Sequence, residues 1–328
     1  MPEGLLELLQ ATVFGSDGLR YYRLNAEQQI RSLNDPVFFI ARDSDQLIGG
    51  YILDRRSLQV AGEPVVGFYR GALAVHESWQ AQGVGTGLTR CALQWQREMD
   101  AGPSISYGCI DASNQRSLRT LGKHDTQVAA RLSMYMMYRQ WPRKRCSLTP
   151  LDATLNENHG TLMDEVYHDC QVRDVTPARQ TKALLDRHGI AISASVRICA
   201  FRITTMSTAA SLATRLLVSP WPPARKRFDP ANFRYLSLSG VLIRSGCERH
   251  WSAFVSTLMA EAGVHFAMLH IDTKTELFHR LRNSQMLGRW LHSANGSVLV
   301  VTQICDRHGQ LAKVHDSASR WCVWPVDA

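Results

Sequence analysis

The sequence predicts an α/β fold: a twisted mixed sheet flanked by helices, an arrangement laid down twice in succession along 328 residues. Three observations carry this expectation. Val65–Val75 is an almost unbroken apolar run rich in Val, Phe and Tyr, the pattern of a buried strand. A short polar turn, His76–Gln82, then leads to glycines at 83, 85 and 87, after which Leu88, Cys91, Ala92, Trp95 and Met99 recur at the three- and four-residue steps of a helix. Beyond Ile190 a similar order of apolar strands and amphipathic helices returns.

Taken in order, Leu5–Ala11 reads as a short helix, Arg20–Leu24 as a strand and Glu27–Leu33 as a second helix. Val37–Ala41 and Leu47–Leu53 are apolar strands joined through the turn formers Arg42–Asp45, a hairpin pattern. Gly62-Glu63-Pro64 turns the chain into the central strand. After the motif helix, Gly102-Pro103 breaks the chain before a strand at Ile105–Ile110, a helix beginning after Asn114, and a strand at Arg131–Arg139. Residues 149–190 are less strand-like, with helices expected at Leu162–Cys170 and Ala178–His188, the latter closed by Gly189. Strands Ala194–Ile203 and Phe233–Ile243, helix Trp251–Ala262, strand Val264–Ile271, helix Thr275–Leu281 and strand Ser297–Ile304 follow.

Glycines at a helix start clear side chains away from the first-turn N–H groups, which have no intrahelical partner and attract phosphate. No Lys-Ser/Thr follows them as in a P-loop, and no acidic ribose-binding residue follows a second strand as in a dinucleotide fold. The stretch Gln80-Ala81-Gln82-Gly83-Val84-Gly85, five residues after Val75, instead resembles the acyl-CoA loop Gln/Arg-x-x-Gly-x-Gly/Ala of the GCN5-related N-acetyltransferases. The resemblance implies tandem domains: an acyl-CoA-binding unit over 1–148, a connecting segment over 149–189 and a degenerate second unit over 190–328. It also implies acetyl-CoA, or another acyl-CoA, as co-substrate.

On this resemblance the backbone of Leu73, Ala74 and Val75 holds the pantetheine arm as an added strand, and the Leu73 N–H polarises the thioester carbonyl. Gln80, Ala81, Gln82, Gly83, Val84 and Gly85, with Thr86, bind the pyrophosphate. Asn114 and Ser117 match the family's Asn-x-x-Ala/Ser at the next helix, near the cofactor, although Asn114 serves equally well as a plain N-cap. The Tyr that the family often places seven residues beyond this Asn, as acid for the departing thiolate, is Leu121 here, and Asp125-Thr126 stands where Gly-Phe is usual. Tyr135 and Tyr138 lie three apart on a strand and so face opposite sides, which suits packing. The acceptor amine must lose a proton, and Glu77, ahead of His76 and Glu63, is the base expected from proximity in sequence.

In the second unit the corresponding turn, Arg244–His250, has one glycine and bulky charged residues, so it is expected to bind no CoA. Seven histidines there (250, 265, 270, 279, 292, 308 and 315) lack the spacing of a metal site, and no metal is expected. Composition is that of a globular protein, with 45% hydrophobic and 20% charged residues. Eight cysteines stand singly, as buried thiols in a reducing compartment do, and no apolar run is long enough to span a membrane, so the chain reads as cytoplasmic. The net charge of +8 gathers partly at Trp141–Arg145 and Trp221–Arg227. Those loops fit solvated surface, an acidic acceptor, an acyl carrier protein or CoA phosphates; no nucleic-acid-binding motif accompanies them. The reaction expected is acyl transfer to a small-molecule or peptide amine. A longer-chain acyltransferase using acyl-CoA or an acyl carrier protein, and a non-catalytic acyl-CoA sensor, share the same motifs.

Overall fold

In the computed structural model the residues described are 1–16, 19–99, 102–122, 126–138, 146–151, 153–176, 180–206, 228–284, 292–305 and 319–323. The first half runs α1 (Leu5–Ala11), β1 (Phe14–Ser16), β2 (Leu19–Arg23), α2 (Ala26–Arg31), β3 (Pro36–Asp43), β4 (Gln46–Val60), β5 (Glu63–Val75), α3 (Val84–Met99), β6 (Ser104–Asp111), α4 (Gln115–Gly122) and β7 (Gln127–Tyr138). The second runs β8 (Thr149–Pro150), α5 (Ala153–Val166), β9 (Val172–Asp174), β10 (Thr181–Asp186), β11 (Gly189–Met206), β12 (Phe233–Ile243), α6 (Trp251–Glu261), β13 (Phe266–Asp272), α7 (Glu276–Asn283), β14 (His292–Cys305) and β15 (Trp321–Cys322).

Successive residues of β4 point to opposite faces, and adjacent glycines there let a helix press against each face. A Cβ on Gly50 would lie 2.4 Å from Leu5 of α1, and one on Gly49 would lie 2.9 Å from Val84 of α3. Thus α1 with α2 covers one side of the central strands and α3 the other. The Ala72–Ala74 side of β5 joins the α1 core, whereas Leu73 packs with α3.

All the described strands form one mixed sheet, and its order interleaves the two halves: β1-β2-β11-β12-β13-β7-β14-β6-β5-β4-β9-β15. Strand β14 lies between β6 and β7, with Val301 opposite Gly108 and Val298 opposite Leu132. On its other side β7 pairs with β13, Tyr135 opposite Leu269. At one end β2 pairs with β11; at the other β9 pairs with β4. A buried ionic network fastens that second crossing: Asp54 accepts from the N–H groups of Asn34 and Asp35 at 2.8 and 2.9 Å and pairs with Arg56, and Tyr107 Oη donates to Asp174 at 2.9 Å. Burial raises the Asp54 carboxyl above its ordinary range, against the pull of Arg56.

The helix expected at Ala178–His188 is instead strand β10, which pairs with β11 through the turn Arg187-His188-Gly189. Thr181 and Ala183 are buried while Lys182 and Leu184 are half-exposed, a period of two rather than 3.6. Gly189, at φ +97°, turns a hairpin and caps no helix. The preceding helix is α5, which starts earlier and ends at Val166, short of Cys170.

The interleaving implies that the halves fold together. A fragment of residues 1–148 lacks β14, and with it the partner of β6 along Ser104–Asp111. Such a fragment is expected to show no cooperative thermal transition by circular dichroism; a sharp two-state melt of 1–148 alone would contradict this.

A second outcome follows from His270 on β13, which is 3% exposed. Burial lowers its pKa from 6.5 to about 4. The unfolded chain takes up this proton near 6.5 and the folded chain only near 4. Stability contributed by the neutral ring is therefore complete above pH 6.5 and falls away toward pH 4, by at most about 3 kcal/mol. Denaturant melts of wild type and His270→Gln between pH 7 and 4 should diverge in slope over this window; parallel curves would refute the assignment.

Candidate acyl-CoA cleft

Strand β5 runs parallel to β6 only from Val66 opposite Ser104 to Tyr69 opposite Tyr107. Beyond Tyr69 the two strands part. On its other side β5 remains paired with β4, but Tyr51 faces Leu73 and Leu53 faces Arg70, so β5 carries one extra residue at Gly71–Ala72. This β-bulge turns the strand end and follows directly on the opening. Among the described residues no strand pairs with Leu73–Val75 on the edge away from β4, which leaves backbone groups facing the gap.

Arg70 occupies the fork. It is 6% exposed, and its guanidinium donates to Ser106 Oγ at 2.8 Å, Thr126 Oγ1 at 3.3 Å and Gln303 Oε1 at 3.0 Å. Its stem lies on Gly108, where a Cβ would come within 3.0 Å of Arg70 Cβ. A cation reaching from β5 thus ties that strand to β6 and β14 at the point where the parallel pairing ends.

At the C-terminal end of β5, His76 begins a short 3₁₀ turn whose Nδ1 accepts from the Ser78 N–H at 3.4 Å. Ala81 at φ +63° and Gly83 at φ +87° then reverse the chain into α3. No atom lies within 4 Å of a Cβ built on Gly83, and one on Gly85 would sit 3.7 Å from Leu73 and Val75. The helix therefore opens directly beside the free strand edge. The N–H groups of Val84, Gly85 and Thr86 have no carbonyl within the helix to accept them, whereas the Gly87 N–H bonds Gly83 O at 2.9 Å.

Other predicted positions fall in more structural roles. The Gln80 amide donates to Val75 O at 3.1 Å, and Gln82 donates to Ser78 O at 2.8 Å, so both glutamines brace the turn. Asn114 Oδ1 accepts from the Ser117 N–H at 3.1 Å and caps α4, which starts just beyond the C-terminal end of β6. Helices α3 and α4 thus both begin at the open end of the fork, where ligands of parallel strands collect. Glu77 is exposed on the 3₁₀ turn. Glu63 opens β5, twelve residues before Val75 and so roughly 40 Å along the strand from it, which removes it from the site. Tyr135 is buried against Phe278, ring centroids 5.9 Å apart, in the core of the second half.

The second half repeats the backbone geometry. Strand β12 runs parallel to β13 up to Leu238 opposite Leu269, and an extra residue at Gly240–Val241 then shifts its register against β11. The bulge again lies two residues past the last parallel pair. Here, however, side chains take the strand end: Tyr167 Oη donates to Val241 O at 2.6 Å, and Arg280 donates to Ile243 O at 2.7 Å. The turn that follows, with Gly246 at φ +81°, holds Arg244 in an ion pair with Asp186 and Glu248 in one with Arg280.

Arg70 and the bulge went unread in the sequence. A lone arginine and a glycine inside an otherwise apolar strand run are the signals that mark them. The basic loops 141–145 and 221–227, His308, His315, Asp125 and the side chains of Leu121, Tyr138 and His292 lie outside the described residues. Among the described residues no three His, Cys, Asp or Glu side chains gather as a metal site would require, and no helix is long and apolar enough to cross a membrane.

Comparison with known proteins agrees with the geometry. The pattern of the acetyltransferase (GNAT) family matches residues 3–125. Saccharomyces cerevisiae N-myristoyltransferase with bound myristoyl-CoA superposes with a TM-score of 0.61 at 10% identity, over 92% of this chain and 80% of that one. A second structure of the yeast enzyme, with myristoyl-CoA and inhibitors, gives 0.59 at 9% identity, over 87% and 73%. A GCN5-related N-acetyltransferase from Anabaena variabilis gives 0.45 at 12%, over 85% and 66%. No curated protein matches in sequence. Residues 3–125 therefore match the acetyltransferase (GNAT) family pattern, the fork between β5 and β6 lies inside that stretch, and the chain shares the fold of the yeast enzyme over 92% of its length.

Proposed function

We propose that the protein transfers an acyl group, acetyl in the first instance, from acyl-CoA to a primary amine by direct attack. The observation that carries this is the juxtaposition at one fork of a strand edge, Leu73–Val75, with no strand beside it among the described residues, and a glycine-opened helix N-terminus. An extended pantetheine arm has amide groups that suit such an edge as an added strand. Its pyrophosphate suits the N–H groups of Val84–Thr86 and the open space at Gly83. Together the two features match a ligand that is peptide-like at one end and anionic at the other.

In this reading the amine nitrogen attacks the thioester carbon, the C–S bond breaks, and the sulfur receives the proton that the amine gives up. The products are an amide and free thiol. The Leu73 N–H, placed just past the bulge, stabilises negative charge developing on the carbonyl oxygen. Deprotonation of the amine falls to Glu77 or to water, since Glu77 is exposed at the mouth of the turn. A buried tyrosine is not assigned to the thiolate; Tyr135 sits in the opposite core.

The halves act unequally. We read 1–148 and 190–328 as two units of one ancestral plan, joined through 149–189, with one CoA site between them. The repeated bulge supports the common plan, and the occupied carbonyls of Val241 and Ile243 support the single site. A longer acyl chain is the second reading, favoured by the shared fold of an enzyme solved with myristoyl-CoA. An acyl carrier protein as donor and a non-catalytic acyl-CoA sensor remain the further alternatives.

A thiol-release assay across acyl-CoA lengths and an amine library tests the activity; absence of thiol release with every pair would overturn it. Calorimetry should give one CoA per chain. Gly83→Asp and Gly85→Asp each place a carboxylate where phosphate oxygens belong and reverse a helix-terminus interaction of about 0.3–2 kcal/mol, before any steric exclusion. CoA affinity should therefore collapse in protein that still melts cooperatively. Two sites per chain, or wild-type affinity in either folded variant, would refute the assignment of this fork.

A further inference from the structure

With the pyrophosphate at the start of α3 and the pantetheine arm along Leu73–Val75, the thioester arrives at the bulge. The acyl group then points on toward the closed end of the fork, where β5 and β6 are paired at Tyr69 and Tyr107. What fills that end sets the length of chain that the site admits.

Two faces close it. Toward α1, Tyr69 and Tyr107 are buried and meet edge to face, ring centroids 5.5 Å apart, and Tyr107 Oη donates to Asp174 at 2.9 Å. Ala72 packs in the same core, and the space behind it, lined by Leu9, Ile30 and Ile52, has room for about one water. A hydrocarbon tail could enter that side only by repacking the core.

Toward α3 the wall is Arg70, which stands opposite Leu53 on the face that α3 covers. Its stem lies on Gly108, where a Cβ would come 3.0 Å from Arg70 Cβ and 3.7 Å from its Cδ. Beyond the stem, Nε donates to Ser106 Oγ at 2.8 Å, and the terminal nitrogens donate to Gln303 Oε1 at 3.0 Å and Thr126 Oγ1 at 3.3 Å. The side chain is thus stretched across the end of the fork and pinned at its tip.

Displacing it is unfavourable. Burying one methylene gains less than a single hydrogen bond to a charged group is worth, and three such bonds hold this guanidinium in a buried site. A short acyl group stops before the stem. A longer one must break those bonds or lay its methylenes against a cation.

We propose that Arg70 is the residue that limits the acyl donor, so that the site takes acetyl or propionyl groups and excludes chains as long as octanoyl. This rests on the acyl-CoA site at the fork and names the donors which that site admits.

Calorimetry on the whole chain with CoA, acetyl-CoA and octanoyl-CoA tests it. Acetyl-CoA should bind at least as tightly as CoA, and octanoyl-CoA should bind about 10–100-fold more weakly than acetyl-CoA, the equivalent of one lost hydrogen bond to a charged group. Arg70→Ser removes the stem and should bring octanoyl-CoA level with acetyl-CoA in protein that still melts cooperatively. Leu9→Ala enlarges the space on the opposite face and should leave the wild-type order unchanged. The wild-type ratio stands without any variant, so an unfolded Arg70→Ser does not spare the proposal. Failure of CoA itself to bind would remove the fork site and this proposal with it. Binding of CoA with octanoyl-CoA as tight as acetyl-CoA would overturn the Arg70 wall alone, as would undiminished discrimination in folded Arg70→Ser or its release by Leu9→Ala.

Discussion

The cleft depends on one buried charge. Arg70 sits where β5 and β6 would otherwise continue as a parallel pair, and a guanidinium placed there must be hydrogen-bonded or its burial becomes prohibitive. Its partners are Ser106 on β6, Thr126 at the start of β7 and Gln303 on β14. Satisfying them lays the side chain across β6 toward β14, just past the last parallel pair of Tyr69 and Tyr107. The bulge at Gly71–Ala72 follows immediately, and the backbone it turns outward is the edge that the donor needs. The anchored cation, the bulge, the free edge and the start of α3 thus follow one another within fifteen residues of chain.

That requirement also binds the two halves. Gln303 belongs to β14, a strand from near the end of the chain that lies between β6 and β7. Removing the second half would strip a partner from a buried cation as well as a neighbour from β6. The other end of the first half is tied in the same way, since β11 holds Asn25 and pairs with β2 at Arg23. A half that has lost the glycine turn can still be indispensable to the half that keeps it.

Local patterning showed much of this in advance, and where it failed the reason is physical. The apolar run at 65–75, the glycine turn and the amphipathic helix are determined by nearby residues and stand where their pattern puts them, although Cys91 and Met99, read as part of the helix's buried face, are exposed, and Leu93 is buried with Leu88 and Ala92 instead. Residues 178–188 misled because Thr181–Asp186 is too short for periods of 2 and 3.6 to separate, and pairing with β11 decided the outcome. The interleaved sheet was not legible at all. Which strand lies beside β6 depends on contacts nearly two hundred residues apart, and no local pattern encodes them.

The repeated bulge shows how one backbone geometry can leave one strand edge open and the other occupied. At Gly240–Val241 the second half has the same extra residue, two positions beyond its last parallel pair, as the first has at Gly71–Ala72. Geometry alone would offer a pantetheine arm two edges. In the second half, though, the carbonyls of Val241 and Ile243 already accept from Tyr167 and Arg280. A ligand would have to displace both donors and leave a buried hydroxyl and a guanidinium to find new partners, at about 1–3 kcal/mol for each. It would gain little in return, because the turn beyond carries the bulky charged side chains of Arg244, Glu248 and Arg249 where the first half has glycines. In the first half Gln80 takes the carbonyl of Val75, the residue nearest the glycine turn. The difference between an open edge and an occupied one lies in what α5 and α7 lay across the second bulge and what the first is spared.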